Sequence, residues 1–65
     1  MRPGTIVSVI GSKSISPIYL GMYGKITDNH PYKETVELYR AVPGQQAALS
    51  HTAFRSDLEV VYEPQ

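Results

Sequence analysis

The segment Thr35-Val36-Glu37-Leu38-Tyr39-Arg40 alternates apolar and polar side chains with a period of two. Such a period places alternate residues on opposite sides of an extended chain and on no single face of a helix. It predicts a strand with Val36 and Leu38 against a core and Glu37 and Tyr39 toward water, as in an antiparallel sheet with one wet side. Thr5-Ile6-Val7-Ser8-Val9-Ile10 is rich in β-branched residues and is bracketed by Pro3-Gly4 and Gly11. Those side chains lose little on a pleated surface and more in a helix, which predicts a second strand. Val7 and Val9 would point one way, Ile6 and Ser8 the other.

Glycine and proline punctuate the rest. Tyr23-Gly24-Lys25-Ile26-Thr27 predicts a strand, with Gly24 at a bulge or a close backbone approach. Asp28-Asn29-His30-Pro31 is a turn cluster. Thr52-Ala53-Phe54 predicts a short strand, Arg55-Ser56-Asp57-Leu58 a single 3₁₀ turn, and Glu59-Val60-Val61-Tyr62 the last strand. Two longer connections separate these elements. Gly11–Gly21 carries Ser12, Ser14, Ser16 and Pro17, which favour turns. Ala41–His51 contains the helix formers Gln45 to Leu49, a run too short to hold a helix without packing, and is expected as a loop.

Sixty-five residues accommodate one domain. A flat sheet of five short strands would leave two edges open and bury little. The expected fold is therefore all-β: a small five-stranded SH3-like barrel over residues 1–65, with two long loops and one 3₁₀ turn before the last strand. Val7, Val9, Ile26, Val36, Leu38, Phe54, Leu58 and Val60 would fill it.

A frame of residues carries a family resemblance. Gly4-x-x-Val7-x-Val9, Tyr19-x-Gly21-x-x-Gly24-x-Ile26, Val36-x-Leu38 and Phe54-Arg55-x-x-Leu58-Glu59 together resemble small SH3-like barrels. The frame is similar to that of the S subunit of the cyanobacterial and chloroplast NAD(P)H-dehydrogenase-like complex, and more loosely to photosystem I subunit IV. This resemblance implies a non-catalytic accessory subunit without cofactor that helps an acidic electron carrier dock. The implied location is cytoplasmic or peripheral to a membrane complex. Lys13, Lys25, Lys33 and Arg40 are the residues that would form the basic docking face. Strand-loop-strand units with a glycine before the second strand also resemble KOW-type nucleic-acid-binding barrels, which is the alternative.

Charge bears on that choice. Six Lys and Arg balance six Asp and Glu, whereas proteins that neutralise many phosphates carry a basic surplus. Nucleic acid is accordingly the disfavoured partner. The absence of cysteine excludes disulfides and thiolate metal clusters, and no apolar run is long enough to span a bilayer, so no membrane insertion is expected.

Catalytic and metal motifs are weak. Gly11-Ser12-Lys13-Ser14 lacks the spacing of a phosphate-binding loop. Gly21-Met22-Tyr23-Gly24 matches a bare Gly-x-x-Gly, but without flanking helices. Ser50, His51 and Asp57 supply the residue types of a nucleophile triad without its orienting frame. His30 and His51 lie in different loops, so a metal site would need added carboxylates. No catalytic or metal residue is assigned, and the protein is expected not to be an enzyme. The tyrosines are more suggestive, since tyrosine joins an apolar body to a hydrogen-bonding tip. Tyr19, Tyr23 and Tyr39, with Lys13, Lys25, Lys33 and Arg40, are the expected contacts to another protein.

Overall fold

The computed structural model describes residues 1–29, 33–39 and 49–64. His30 and Pro31 of the expected turn cluster, Tyr32, Arg40, residues 41–48 of the second expected loop, and Gln65 lie outside the described residues. Five strands form: β1 (Ile6–Val9), β2 (Tyr23–Asn29), β3 (Lys33–Tyr39), β4 (Leu49–Phe54) and β5 (Leu58–Tyr62). They make one antiparallel sheet in the order β4-β3-β2-β1-β5. No α-helix occurs among the described residues.

The expected 3₁₀ turn is present at Arg55–Asp57, and a second, unexpected one lies at Pro17–Tyr19. Pro17 suits the first position of such a turn, because its φ is preset and it has no N–H to satisfy. The amide of Leu20 donates to the carbonyl of Pro17 at 3.1 Å and closes it. β2 runs on through Asp28 and Asn29, which were expected in a turn, and β4 begins at Leu49 rather than Thr52.

The core holds Val7, Val9, Ile15, Ile26, Val36, Leu38, Ala53 and Leu58. Two expected members are displaced. Phe54 pairs with Lys33 across β3 and β4, and directly opposed residues share a face, so its ring lies on the solvent side and Ala53 points inward. Val60 pairs with Val7, but β5 is the last strand of the sheet, with no further strand paired beyond it among the described residues, and Val60 is exposed. Ile15, from the serine-rich loop, takes an interior place.

Gly24 is a close approach. A methyl group there would overlap the side chains of Val36 and Leu38 and stand 3.1 Å from the carbonyl of Glu37. The inward row of β3 also includes a charge, since Glu34 is as fully buried as Val36 and Leu38. Its Oε1 accepts from Arg55 Nε at 2.8 Å and from the Met1 amino group at 3.2 Å.

Candidate functional site

The loop from Ile10 to Met22 is fastened along its length. At its base, Val9 N donates to the Met22 carbonyl and Gly21 N to the Val9 carbonyl, both at 2.9 Å. Ile10 N and Gly11 N both donate to the backbone carbonyl of Asp57, at 2.8 and 3.2 Å. The Asp57 carboxylate then takes the amides of Lys13 (3.2 Å, Oδ1) and Ser14 (2.7 Å, Oδ2) and the Ser14 hydroxyl (2.5 Å). That hydroxyl in turn accepts from Phe54 N at 2.7 Å. These bonds tie the loop to the turn between β4 and β5.

The Ser14 hydroxyl is the main cause that lowers the Asp57 pKa below the ordinary aspartate value. Burial opposes it, while the two amides and the nearby Lys13 charge add to it. With Ile15 buried just beyond, the chain is held on both sides of the anchor.

On the far limb the 3₁₀ turn packs Tyr19 inward. Its ring lies 4.6 Å from that of His51, tilted by 52°, and rests against the core. Tyr19 is therefore a support of the loop, half-buried, rather than part of an outward tyrosine surface. Its neighbours are left in solvent: Ile18 is 76% exposed, and Leu20 is also exposed. The hydrogen bonds between Val9 and residues 21 and 22 bring the exposed Ile10, Leu20 and Tyr23 to the same end of the sheet. Four large apolar side chains on one fastened loop and its roots form the candidate contact surface.

The remaining expected contacts are dispersed. Tyr23 is exposed and stands opposite Tyr39 in the β2–β3 register. Lys25 is exposed in mid-strand, between Ile6 on one side and Glu37 on the other. Lys33 lies at the start of β3 with Nζ 5.2 Å above the Phe54 ring. Lys13 is exposed on the loop beside Asp57. Lys13 and Lys33 thus flank the Phe54–Ser14 contact.

Ile10, Ile18 and Leu20 were not among the sequence candidates, because isolated apolar residues in a loop resemble core anchors until burial separates them. Here Ile15 is the anchor and Ile18 is not. Ser50, His51 and Asp57 do not converge. Ser50 and His51 are neighbours on β4 and so point to opposite faces, His51 packs on Tyr19, and the Asp57 carboxylate is bonded to Ser14 and Lys13. Among the described residues no three His, Cys, Asp or Glu gather as metal ligands, and no helix is long and apolar enough to cross a membrane. Compared with protein-family models, with curated proteins and with solved structures, the chain finds no match.

Proposed function

We propose that the chain is a non-catalytic protein-interaction module of the SH3-like barrel type, acting as an accessory subunit or regulator of a larger complex. The observation that carries this reading is the fastened loop with its apolar exposure. Ile18 and Leu20 sit on a segment already ordered by Asp57, Ser14 and Ile15, so a partner would meet a preformed surface at small entropic cost. Exposed apolar residues grouped on an ordered loop mark contact sites more often than scattered ones do.

The connection between the sheet's two outer strands supports the barrel. In a flat layer β4 and β5 would lie about 19 Å apart, four spacings of roughly 4.8 Å. Three residues in a 3₁₀ turn join them, and a rise of about 2 Å per residue covers less than half of that distance. A curled sheet would account for the difference, and the register shifts in β1–β5 and β2–β3 are the kind of irregularity that bends strands.

An electron-transport complex is the partner class that the family resemblance suggests first. The nucleic-acid alternative is weakened by Lys25 standing opposite Glu37 and by Lys13 lying beside Asp57.

A photo-crosslinking side chain at position 18 tests the proposal, with one at Thr52 on β4 as the control. In extract of the native cell, position 18 should capture a discrete protein that excess wild-type chain competes away, and Ile18→Asp should abolish its retention. Capture no greater than at Thr52, or full retention by Ile18→Asp, would overturn the assignment.

A further inference from the structure

The last strand of the sheet carries a second surface, which the loop does not use. Over Leu58–Val60 β5 pairs with β1 without a break: Leu58 with Val9, Glu59 with Ser8 and Val60 with Val7. Ile10 N donates to the Asp57 carbonyl, which marks Val9 and Leu58 as a pair that exchanges no hydrogen bonds of its own. By the alternation of an antiparallel ladder, Val7 and Val60 are another. The carbonyl of Leu58 and the N–H and carbonyl of Val60 are therefore directed away from β1, to the side where no further strand is paired among the described residues. Val60 is 44% exposed, whereas the Leu58 amide is already bonded to the Arg55 carbonyl.

The side chains of this edge divide between two faces. Val60 shares the inner face with Val7, and Glu59 the outer face with Ser8. The extra residue at Val61, opposite the Ile6–Val7 step, returns Tyr62 to the outer face beside Ile6. The bulge thus sets Glu59 and Tyr62, both exposed, on one side of the sheet. Edges are ordinarily guarded by Lys or Pro, and β5 has neither between Leu58 and Tyr62. Its exposed charged groups are carboxylates, Glu59 and the adjoining Glu63, and neither has an ion-pair partner among the described residues. Asp57, at the head of the strand, is buried and occupied by the amides of Lys13 and Ser14.

We infer that β5 takes up an extended basic segment of another protein as an added antiparallel strand. Charge complementarity selects the occupant, since a second copy of β5 would bring only further carboxylates to the edge. The incoming residue opposite Val60 exchanges two backbone bonds with it, and the residue two further on donates to the Leu58 carbonyl. The side chain opposite Val60 is apolar and the one opposite Glu59 is Lys or Arg. A second cation, nearer the start of the segment, lies by Glu63 and Tyr62, where attraction to the ring adds to that of the charge. Main-chain bonds supply affinity and alternate side chains supply specificity, as in other strand additions. A strand of this length buries less than the roughly 1,000 Å² of a stable interface, so the association is transient and weakens as salt rises.

The probe is a blocked synthetic peptide of alternating lysine and valine, six residues long, titrated into the full chain and followed by its backbone amide resonances. The Val60 resonance should move furthest, because a new donor bond forms there, and it should report saturable binding. The same peptide with glutamate in place of lysine should not bind. Glu59→Gln should raise the dissociation constant by up to about fivefold, the upper end for one exposed ion pair. Joint Glu59→Lys and Glu63→Lys should abolish binding, and Ile18→Asp should leave it unchanged, which separates this edge from the loop. Binding that spares the Val60 amide, equal binding of the glutamate peptide, or indifference to the joint lysine variant would each overturn the inference. A Val60 shift that grows with the concentration of the chain alone would give the edge to a second copy and overturn it as well.

Discussion

The hydroxyl of Ser14 bridges two strands' worth of backbone through Asp57: it donates to Oδ2 at 2.5 Å and accepts from Phe54 N at 2.7 Å. One side chain thus completes a buried carboxylate and satisfies the last amide of β4. Ser14→Ala removes both bonds and leaves a partly satisfied anion behind. Hydrogen bonds to charged groups contribute about 1.5–3 kcal/mol each, and a loss of that size is expected in the urea unfolding free energy. A double-mutant cycle with Asp57→Asn should show strong coupling. Additivity of the two losses would mean that the contact is not the one that matters.

The same carboxylate sets a pH dependence. Its folded pKa lies below the ordinary aspartate value of 3.8, chiefly through the Ser14 hydroxyl and against the opposing effect of burial. A group whose pKa is depressed by folding contributes stability that is fully present above its unfolded value. That contribution declines as the pH falls below 3.8 and is gone once the pH passes below the folded value. Urea midpoints measured downward from pH 7 should therefore fall more steeply at the acid end for the wild-type chain than for Asp57→Asn. Parallel acid limbs would remove Asp57 as the titrating group.

Much of the sheet was legible because its strands obey local rules. The alternation around Val36 and Leu38, the β-branched run before Gly11 and the 3₁₀ turn before β5 are properties of neighbouring residues. What escaped depends on distant ones. The same parity that places Val36 and Leu38 inside places Glu34 there too, yet what makes a buried glutamate tolerable is distant in sequence: Arg55, twenty-one residues away, and the Met1 amino group, thirty-three away. Phe54 is the bulkier residue and Ala53 the buried one, a choice fixed by pairing with Lys33 rather than by hydrophobicity. In the first loop Ile15 and Ile18 are equivalent as letters. The bond from Ser14 to Asp57, forty-three residues on, decides which of them is core.

Glu34 invites a test with two signs. Its Oε1 is bonded, whereas Oε2 is buried without a hydrogen-bond partner among the described residues. Arg55→Ala takes away one counter-charge and should destabilise by about 1–3 kcal/mol, the desolvation penalty of a polar group left short. That is less than for a fully buried pair because the Arg55 side chain is 52% exposed. Glu34→Leu instead removes the buried charge and continues the apolar row of Val36 and Leu38. Replacing buried ionic groups by apolar ones of similar volume is often neutral or stabilising, by about 1–4 kcal/mol. Thermal unfolding of both variants distinguishes the cases: a Glu34→Leu chain less stable than Arg55→Ala would show that the carboxylate holds the fold rather than burdens it.

Gly24 and Gly21 should respond differently to the same added methyl. At Gly21, φ is +82° and nothing lies within 4 Å of the new Cβ, so Gly21→Ala meets only backbone strain, about 1–2 kcal/mol. At Gly24 the new Cβ overlaps Val36 and Leu38, both fully buried and with no free space to yield. Overpacking of this kind costs about 1–3 kcal/mol and at times more, and the Glu37 carbonyl adds a backbone obstacle that cannot rotate away. The difference shows in compensation. Val36→Ala opens room beside residue 24, so it should recover part of the stability lost in Gly24→Ala and none of that lost in Gly21→Ala. Urea denaturation of the three single and two double variants measures this, and a Gly24→Ala chain gaining nothing from Val36→Ala would place the close approach elsewhere in the β2–β3 pair.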